Sequence, residues 1–221
     1  MVAVRVVLVL ALGVLVVAPA RACGSGAVLF ADHFQHAEPH GLGEEEHVTV
    51  ANGVLEVEPP QNANWYAYYA GMPYRRLDVC VTLSIADFHA AGDMGAGVMF
   101  WVGDREHNDV FMIRPDGHWI LAAHAGDAWQ VVASAPSDAI HRGKGVVNEV
   151  EVRLDEGKGE ALVNGTVVTS FTGTPPAGRF ALGYYAESEV DQQDAWTFHS
   201  MEVRRLLSGA MATPSGPPGP G

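Results

Sequence analysis

The chain is short of positive charge. It has 13 Lys and Arg against 26 Asp and Glu, a formal charge of −13. Phosphate backbones are gripped by clustered Lys and Arg, so this balance excludes a nucleic-acid binder. Cysteine is almost absent as well. Two residues, Cys23 and Cys80, cannot staple a small disulfide scaffold together, so stability has to come from a core. With 48% apolar residues in 221, the chain has ample material for a core and a disordered chain is excluded. After the N-terminal run no apolar stretch is long enough to cross a membrane as a helix. There is also no amphipathic stretch of helical length, no phosphate-binding loop, no dinucleotide fingerprint, no His-Glu-x-x-His and no serine nucleophile elbow.

Both ends stand apart from what lies between them. Arg5 precedes an apolar run from Val6 to Ala18, broken by Pro19, and Ala20-Arg21-Ala22 follows with the small-x-small pattern of a cleavage site. Residues 1–22 therefore read as an export signal, with Cys23 the first mature residue. A lipidated Cys23 would need a Leu-like residue near position 20 and a small one at 21, where Ala20 and Arg21 stand. Residues 208–221 are rich in Gly, Pro and Ser and lack an apolar face, the composition of a disordered tail. One folded domain is expected over 23–207. Export permits a disulfide, and Cys23–Cys80 is the pair available. Closing that loop would stabilise the fold by about 4 kcal/mol in the chain-entropy account.

Inside the domain the dominant period is two. Val79, Val81, Leu83 and Ile85 alternate with Asp78, Cys80, Thr82 and Ser84, and Val150, Val152 and Leu154 alternate with Glu149, Glu151 and Arg153. These are half-buried strands. The continuous runs 97–102 and 110–113 read as strands covered on both faces. Asn52-Gly53, Asp116-Gly117 and Asn164-Gly165 sit between strands, where both residue types accept the positive φ of type I′ turns. Glu156-Gly157-Lys158-Gly159 reads as a longer turn, and Ser137–Arg142 as one short turn. Strands at this spacing predict an all-β sandwich or barrel.

The order of these features resembles a known family. Phe30-Ala31-Asp32-His33-Phe34 comes first, then Asn52-Gly53-Val54-Leu55 and Gly97-Val98-Met99-Phe100-Trp101. Asp116-Gly117-His118-Trp119, Val163-Asn164-Gly165 and the run from Phe180 to Ala186 follow, and Trp196-Thr197-Phe198 through Val203 closes the series. Over about residues 28–205 the chain is similar to bacterial concanavalin A-like (lectin/glucanase, laminin G-like) jelly rolls, and nearest to domains of the 3-keto-disaccharide hydrolase type. The resemblance implies a jelly-roll sandwich of two antiparallel sheets, with a concave sheet that carries the ligand.

A sugar site needs aromatic faces for C–H surfaces, and carboxylates and amides for hydroxyls. Tyr66 and Tyr68 share a face by period two, opposite to Trp65 and Tyr69. Trp101 precedes Asp104 and Asn108, Tyr185 precedes Glu187, and Asp194 precedes Trp196. A candidate groove is therefore lined by Tyr66, Tyr68, Trp101, Asp104, Asn108, Tyr185, Glu187 and Asp194, if these strand ends meet. Otherwise the aromatics are core and the acids are solvated. Laminarinase-type jelly rolls carry their catalytic carboxylates as Glu-x-Asp-x-Glu on one strand, a motif this chain lacks. Glu149 and Glu151 share a face, which the flanking valines make the solvent side. The acidic run 187–194 is compatible with a Ca²⁺ site, since hard cations take oxygen ligands from loops, or with polar contacts to a sugar. His33, His36, His40 and His47 have no helical spacing that would make a metal site. Asn164-Gly165-Thr166 matches a glycosylation acceptor, although a hairpin turn explains it more simply. Three functions remain: an exported carbohydrate-binding module, a glycoside hydrolase using Asp104, Glu187 and Asp194, and an envelope protein with a non-sugar partner.

Overall fold

In the computed structural model, the described residues are 23–35, 47–73, 75–87, 94–104, 106–126, 128–178, 180–188 and 194–211. The side chains of Tyr68, Ala70, Gly71, Met72, Asp87 and Phe180 are outside that description. So are residues 1–22, which hold the export-signal reading, and 212–221, most of the expected tail. Residues 208–211 are within the description. The Ala210 amide closes a turn on Leu207, and Ala210 accepts a hydrogen bond from Arg153.

Among the described residues fourteen strands make two antiparallel sheets, as the alternation predicts. The strands are β1 (Val28–Asp32), β2 (Val48–Ala51), β3 (Val54–Val57), β4 (Asn64–Met72), β5 (Arg76–Asp87), β6 (Ala96–Val102), β7 (His107–Ile113), β8 (His118–Ala125), β9 (Ala128–Pro136), β10 (Val147–Asp155), β11 (Lys158–Val163), β12 (Thr166–Thr172), β13 (Phe180–Glu187) and β14 (Ala195–Arg205). One sheet runs β12-β11-β10-β5-β14-β3-β2, with β1 also paired to β14. The other runs β4-β13-β6-β7-β8-β9. Among the described residues no helix is long and apolar enough to cross a membrane.

The sheets pack through the positions that the period marks. Val79, Val81 and Leu83 of β5 and Val150, Val152 and Leu154 of β10 are fully buried against Val98, Phe100 and Phe111 of the facing sheet. Burying side chains of this size contributes roughly 1.5–3 kcal/mol each, which makes this interface the main source of stability. Strands β6 and β7 are covered on both faces, because Met99, Val102, Val110 and Met112 belong to a second apolar cluster on the far side of the six-stranded sheet.

The turns follow the local chemistry with two exceptions. Asn52-Gly53 and Asn164-Gly165 both have positive φ at each residue, as type I′ requires. At Asp116-Gly117 only Gly117 does. Here the Gly117 amide bonds the Arg114 carbonyl and the Arg114 amide bonds that of His118, a wider turn that Asp116 fixes by accepting from the His118 amide and from Arg114 Nη2. The expected long turn at 156–159 is instead a two-residue loop, Glu156-Gly157, because Asp155 pairs directly with Lys158. Ser137–Ile140 closes a single turn. Asn164 serves as a turn residue with every side-chain function in use. Its Nδ2 donates to Ala139 O at 2.7 Å and to Asn148 Oδ1 at 2.8 Å, and its Oδ1 accepts from the Glu149 amide at 2.9 Å. These bonds occupy the amide that a glycan would need.

Cys23 and Cys80 form a disulfide. Cys80 lies on the face of β5 turned away from the core, so the bond straps residues 23–26 across that face. The Gly24 amide bonds Asp78 Oδ2 at 3.0 Å. Burial on this face corrects the reading of Glu149 and Glu151 as a solvated exterior. Glu151 is 3% exposed, and Asp78 and Glu160 are buried beside it. Arg153 Nε donates to Glu151 Oε1 at 2.6 Å. Burial first, and then the negative charge of Asp78, push the Glu151 carboxyl up to about 8 and that of Glu149 up to about 7.

Candidate carbohydrate-binding face

The far side of the six-stranded sheet carries the candidate site. In β13 the inward positions are Leu182, Tyr184 and Ala186, which leaves Tyr185 and Glu187 on the far side. Registry extends that face to Tyr66 and Asn64 of β4, Gly97 and Met99 of β6, Val110 and Met112 of β7, and Ile120 and His124 of β8. Trp129 of β9 pairs in register with His124, and their rings stack at 4.7 Å.

This face is deeply curved. β13 and β9 are the second and sixth strands of the sheet, so a flat sheet would hold them about 19 Å apart. The rings of Tyr185 and Trp129 nevertheless approach to 5.5 Å between centroids. Trp129 therefore reaches back toward Tyr185, which belongs to an apolar cluster with Met99, Val110 and Met112 that Tyr66 also packs against. Beside this bridge opens a cleft of about 300 Å³, lined by Asn62, Asn64, Met94, Trp129, Glu187 and Ser188 among others. Tyr185 Oη donates to Glu187 Oε1 at 2.5 Å and accepts from Asn64 Nδ2 at 3.2 Å. Burial and the Glu187 charge hold the Tyr185 phenol well above its ordinary range, so it stays a neutral donor. Trp129 is 37% exposed. The cleft thus offers an accessible aromatic plane, an amide and an oriented carboxylate.

The eight residues expected to line one groove divide into separate groups. Tyr66, Tyr185, Glu187 and Asn108 occupy the concave face. Tyr68 has the same strand parity, and its side chain lies outside the described residues. Trp101 is a core residue, 4% exposed and packed edge-on against Phe100 and Phe171. Its φ of +48° inserts a bulge that turns two consecutive side chains, Phe100 and Trp101, to the inside, a local kink that alternation does not reveal. Asp104 sits on the exposed β6–β7 turn, where its Oδ1 accepts from the Glu106 amide and pairs with His107 Nδ1 at 2.8 Å. Those contacts lower the Asp104 pKa, His107 first. Glu187 bonds Gly95 at the opposite end of β6. The eight residues between Gly95 and Asp104 include the whole of β6, whose seven residues alone span about 20 Å, far more than one sugar ring. Asp194 is buried at the start of β14, its amide bonded to Ser188 Oγ. Glu189 and Asp191 of the acidic run, and His36 and His40, lie outside the described residues.

Two features escaped the sequence reading. Trp129 and His124 are one such pair. Only their register across the β8–β9 hairpin brings them together, and a lone Trp after Gly126 gives little signal. The other is Ser84, whose Oγ lies 2.9 Å from His199 Nε2. Burial lowers the His199 pKa, but Ser84 is itself buried and cannot meet a substrate carbonyl. Among the described residues, the one group of His, Cys, Asp and Glu close enough to share a metal is Cys23, Asp78 and Cys80. Its two sulfurs are already bonded to each other.

No family model and no curated protein matches the chain. Solved structures do. The Emp46p carbohydrate recognition domain superposes with a TM-score of 0.59 at 11% identity, covering 81% of this chain and 100% of that one. The VIP36 exoplasmic/lumenal domain in its Ca²⁺/Man3GlcNAc-bound form gives 0.56 at 13%, covering 76% and 84%. The catalytic domain of an endo-1,3-β-glucanase (laminarinase) from Thermotoga petrophila gives 0.58 at 10%, covering 82% and 98%. A carbohydrate recognition domain and a glucanase domain thus share one architecture with this chain, and its fold is a concanavalin A-like jelly-roll sandwich of two antiparallel sheets.

Proposed function

We propose that the chain is an exported carbohydrate-binding module that takes its ligand in the concave cleft beside Trp129. The carrying observation is the bridge from Trp129 to Tyr185, with Asn64 and Glu187 at its side. Trp129 supplies the stacking surface, Asn64 the amide and Glu187 the acceptor, the usual make-up of a saccharide site. The disulfide agrees with an oxidising compartment, and the solved structures with this fold include a carbohydrate recognition domain. Hydrolysis of the keto-disaccharide type would need a second carboxylate opposite Glu187. Among the described residues of the concave face Glu187 is the one acid. Asp109, pushed up to about 6 by burial, has the inward parity of Phe111 and Ile113. These positions favour binding over catalysis.

The test is a glycan-array screen of residues 23–211, followed by titration of any hit with and without Ca²⁺. Trp129→Ala should weaken binding at least tenfold, with a modest fall in melting temperature from the lost ring contacts to His124 and Tyr185. Undiminished binding by that variant would remove the cleft as the site. Loss of binding in chelator would assign a Ca²⁺ requirement, for which the acidic run 187–194 is the candidate.

A further inference from the structure

The opposite pole of the sandwich carries a second cleft, of about 420 Å³. It lies where β4 ends and β5 begins, whereas the concave cleft lies at the start of β4. The nine residues of β4 separate the two by about 30 Å. Arg75, Arg76 and Arg205 line it together with Ser208, and Pro73, Leu206 and Leu207 supply an apolar wall.

Strand register brings the arginines together. Arg205 of β14 pairs with Leu77 of β5, and the Leu206 amide bonds the Arg76 carbonyl at 3.2 Å. Arg75 and Arg205 stand at inward-parity positions just beyond Leu77 and Val203, the last core residues of their strands, so they close the end of the sandwich. The fold positions these side chains. Arg75 Nη2 donates to Pro176 O at 3.3 Å, while Arg76 lies 3.0 Å from Asp155 and 3.5 Å from Ser208 Oγ. The chain has 26 acids and 13 bases, yet three of the bases line one cleft, and among its described lining residues there is no carboxylate. Asp155 offsets Arg76 from outside the cleft, and the remaining excess of positive charge, opposite in sign to the whole molecule, concentrates anions.

We propose that this cleft binds a small organic oxyanion, a phosphate ester, sulfate ester or carboxylate, with a short apolar body. Guanidinium groups present paired donors that match such oxygens in a bidentate way. Pro73, Leu206 and Leu207 cover the hydrocarbon part. The volume falls within the usual range for small-molecule sites. The assignment does not depend on sugar binding at the other pole.

The test is a titration of the whole exported protein, followed by the Nε–Hε resonances of arginine. Phenyl phosphate, phenyl sulfate and benzoate are the probes, with inorganic phosphate and phenol as controls. Saturable shifts at Arg75, Arg76 and Arg205 are expected, weakening as salt is raised, and the strongest probe identifies the headgroup. Arg75→Gln and Arg205→Gln should each weaken binding about tenfold. Arg142→Gln, which removes the same charge elsewhere, should not. Equal affinity in all three variants, or the absence of saturation by any probe, overturns the proposal. Inorganic phosphate binding as tightly as phenyl phosphate overturns the role of the apolar wall. If Arg205→Gln fails to fold, Arg75→Gln decides alone.

Discussion

Replacing Glu151 by Gln should change how stability depends on pH. In the folded chain the Glu151 carboxyl titrates at about 8, against 4.5 for the free group. A carboxyl raised in this way keeps its proton in the native state, so the stability linked to it is complete below about pH 4.5 and is lost as pH rises through about 8. Between pH 5.5 and 9 the linkage amounts to about 3 kcal/mol. In a domain of this size that is roughly a 6–12 °C fall in melting temperature. The amide introduced by Glu151→Gln can still accept from Arg153 and donate toward Asp78, but it has no proton to lose. Denaturant melts at pH 5.5 and pH 9 should therefore show the variant close to the parent at the lower pH and more stable than it at the higher. Glu149 titrates in the same direction at about 7 and leaves a residual slope in both proteins. Asp78, Glu160, Glu202, Arg153 and Arg204 surround the pair and are common to both curves. Parallel curves across the range would refute the reasoning.

Cys23→Ser with Cys80→Ser should lower stability by up to about 4 kcal/mol, read from denaturant midpoints. Gly173→Ala should cost about 1–3 kcal/mol, since a Cβ there meets the Trp101 ring; a melting temperature equal to that of the parent would show that the ring can move aside. Asn164→Asp removes two donated hydrogen bonds while keeping a residue that tolerates positive φ, so a loss of about 1–3 kcal/mol is expected. Tyr185→Phe should weaken saccharide binding by freeing Glu187 and Asn64 from their shared partner, with little change in the melting temperature.

Alternation made the sheets and the core legible, because burial on one face imposes a period of two that the residue order of β5 and β10 carries openly. It separated Trp65 and Tyr69 from Tyr66 correctly. It failed at Trp101, where a positive φ shifts the phase by one residue and sends a presumed ligand platform inside. It also failed at Glu151, which alternation places on the outer face and which is buried there beside Asp78, Glu160 and Arg153. The concave cleft was partly legible, through Tyr66, Tyr185 and Glu187. Trp129 was not, because its role comes from the curl of a sheet over five strands, and curvature leaves no local period. Asp104 follows Trp101 onto the turn after β6, at the end of that strand away from Glu187.

The disulfide also decides how the domain bears tension. The Arg205 amide bonds the Ala27 carbonyl and Arg204 Nη1 bonds that of Gly26, so residues 26–27 lie beside residues 204–205. A pull on the two ends would therefore unzip β1 from β14 one pair at a time, the weakest way to load an antiparallel ladder. Cys23 precedes β1, and its bond to Cys80 passes that pull directly to β5. Cys80 stands opposite Glu202, inside the long β5–β14 pairing at the middle of the sheet. Oxidised, the domain keeps β1 out of the load path. Reduced, it yields there first.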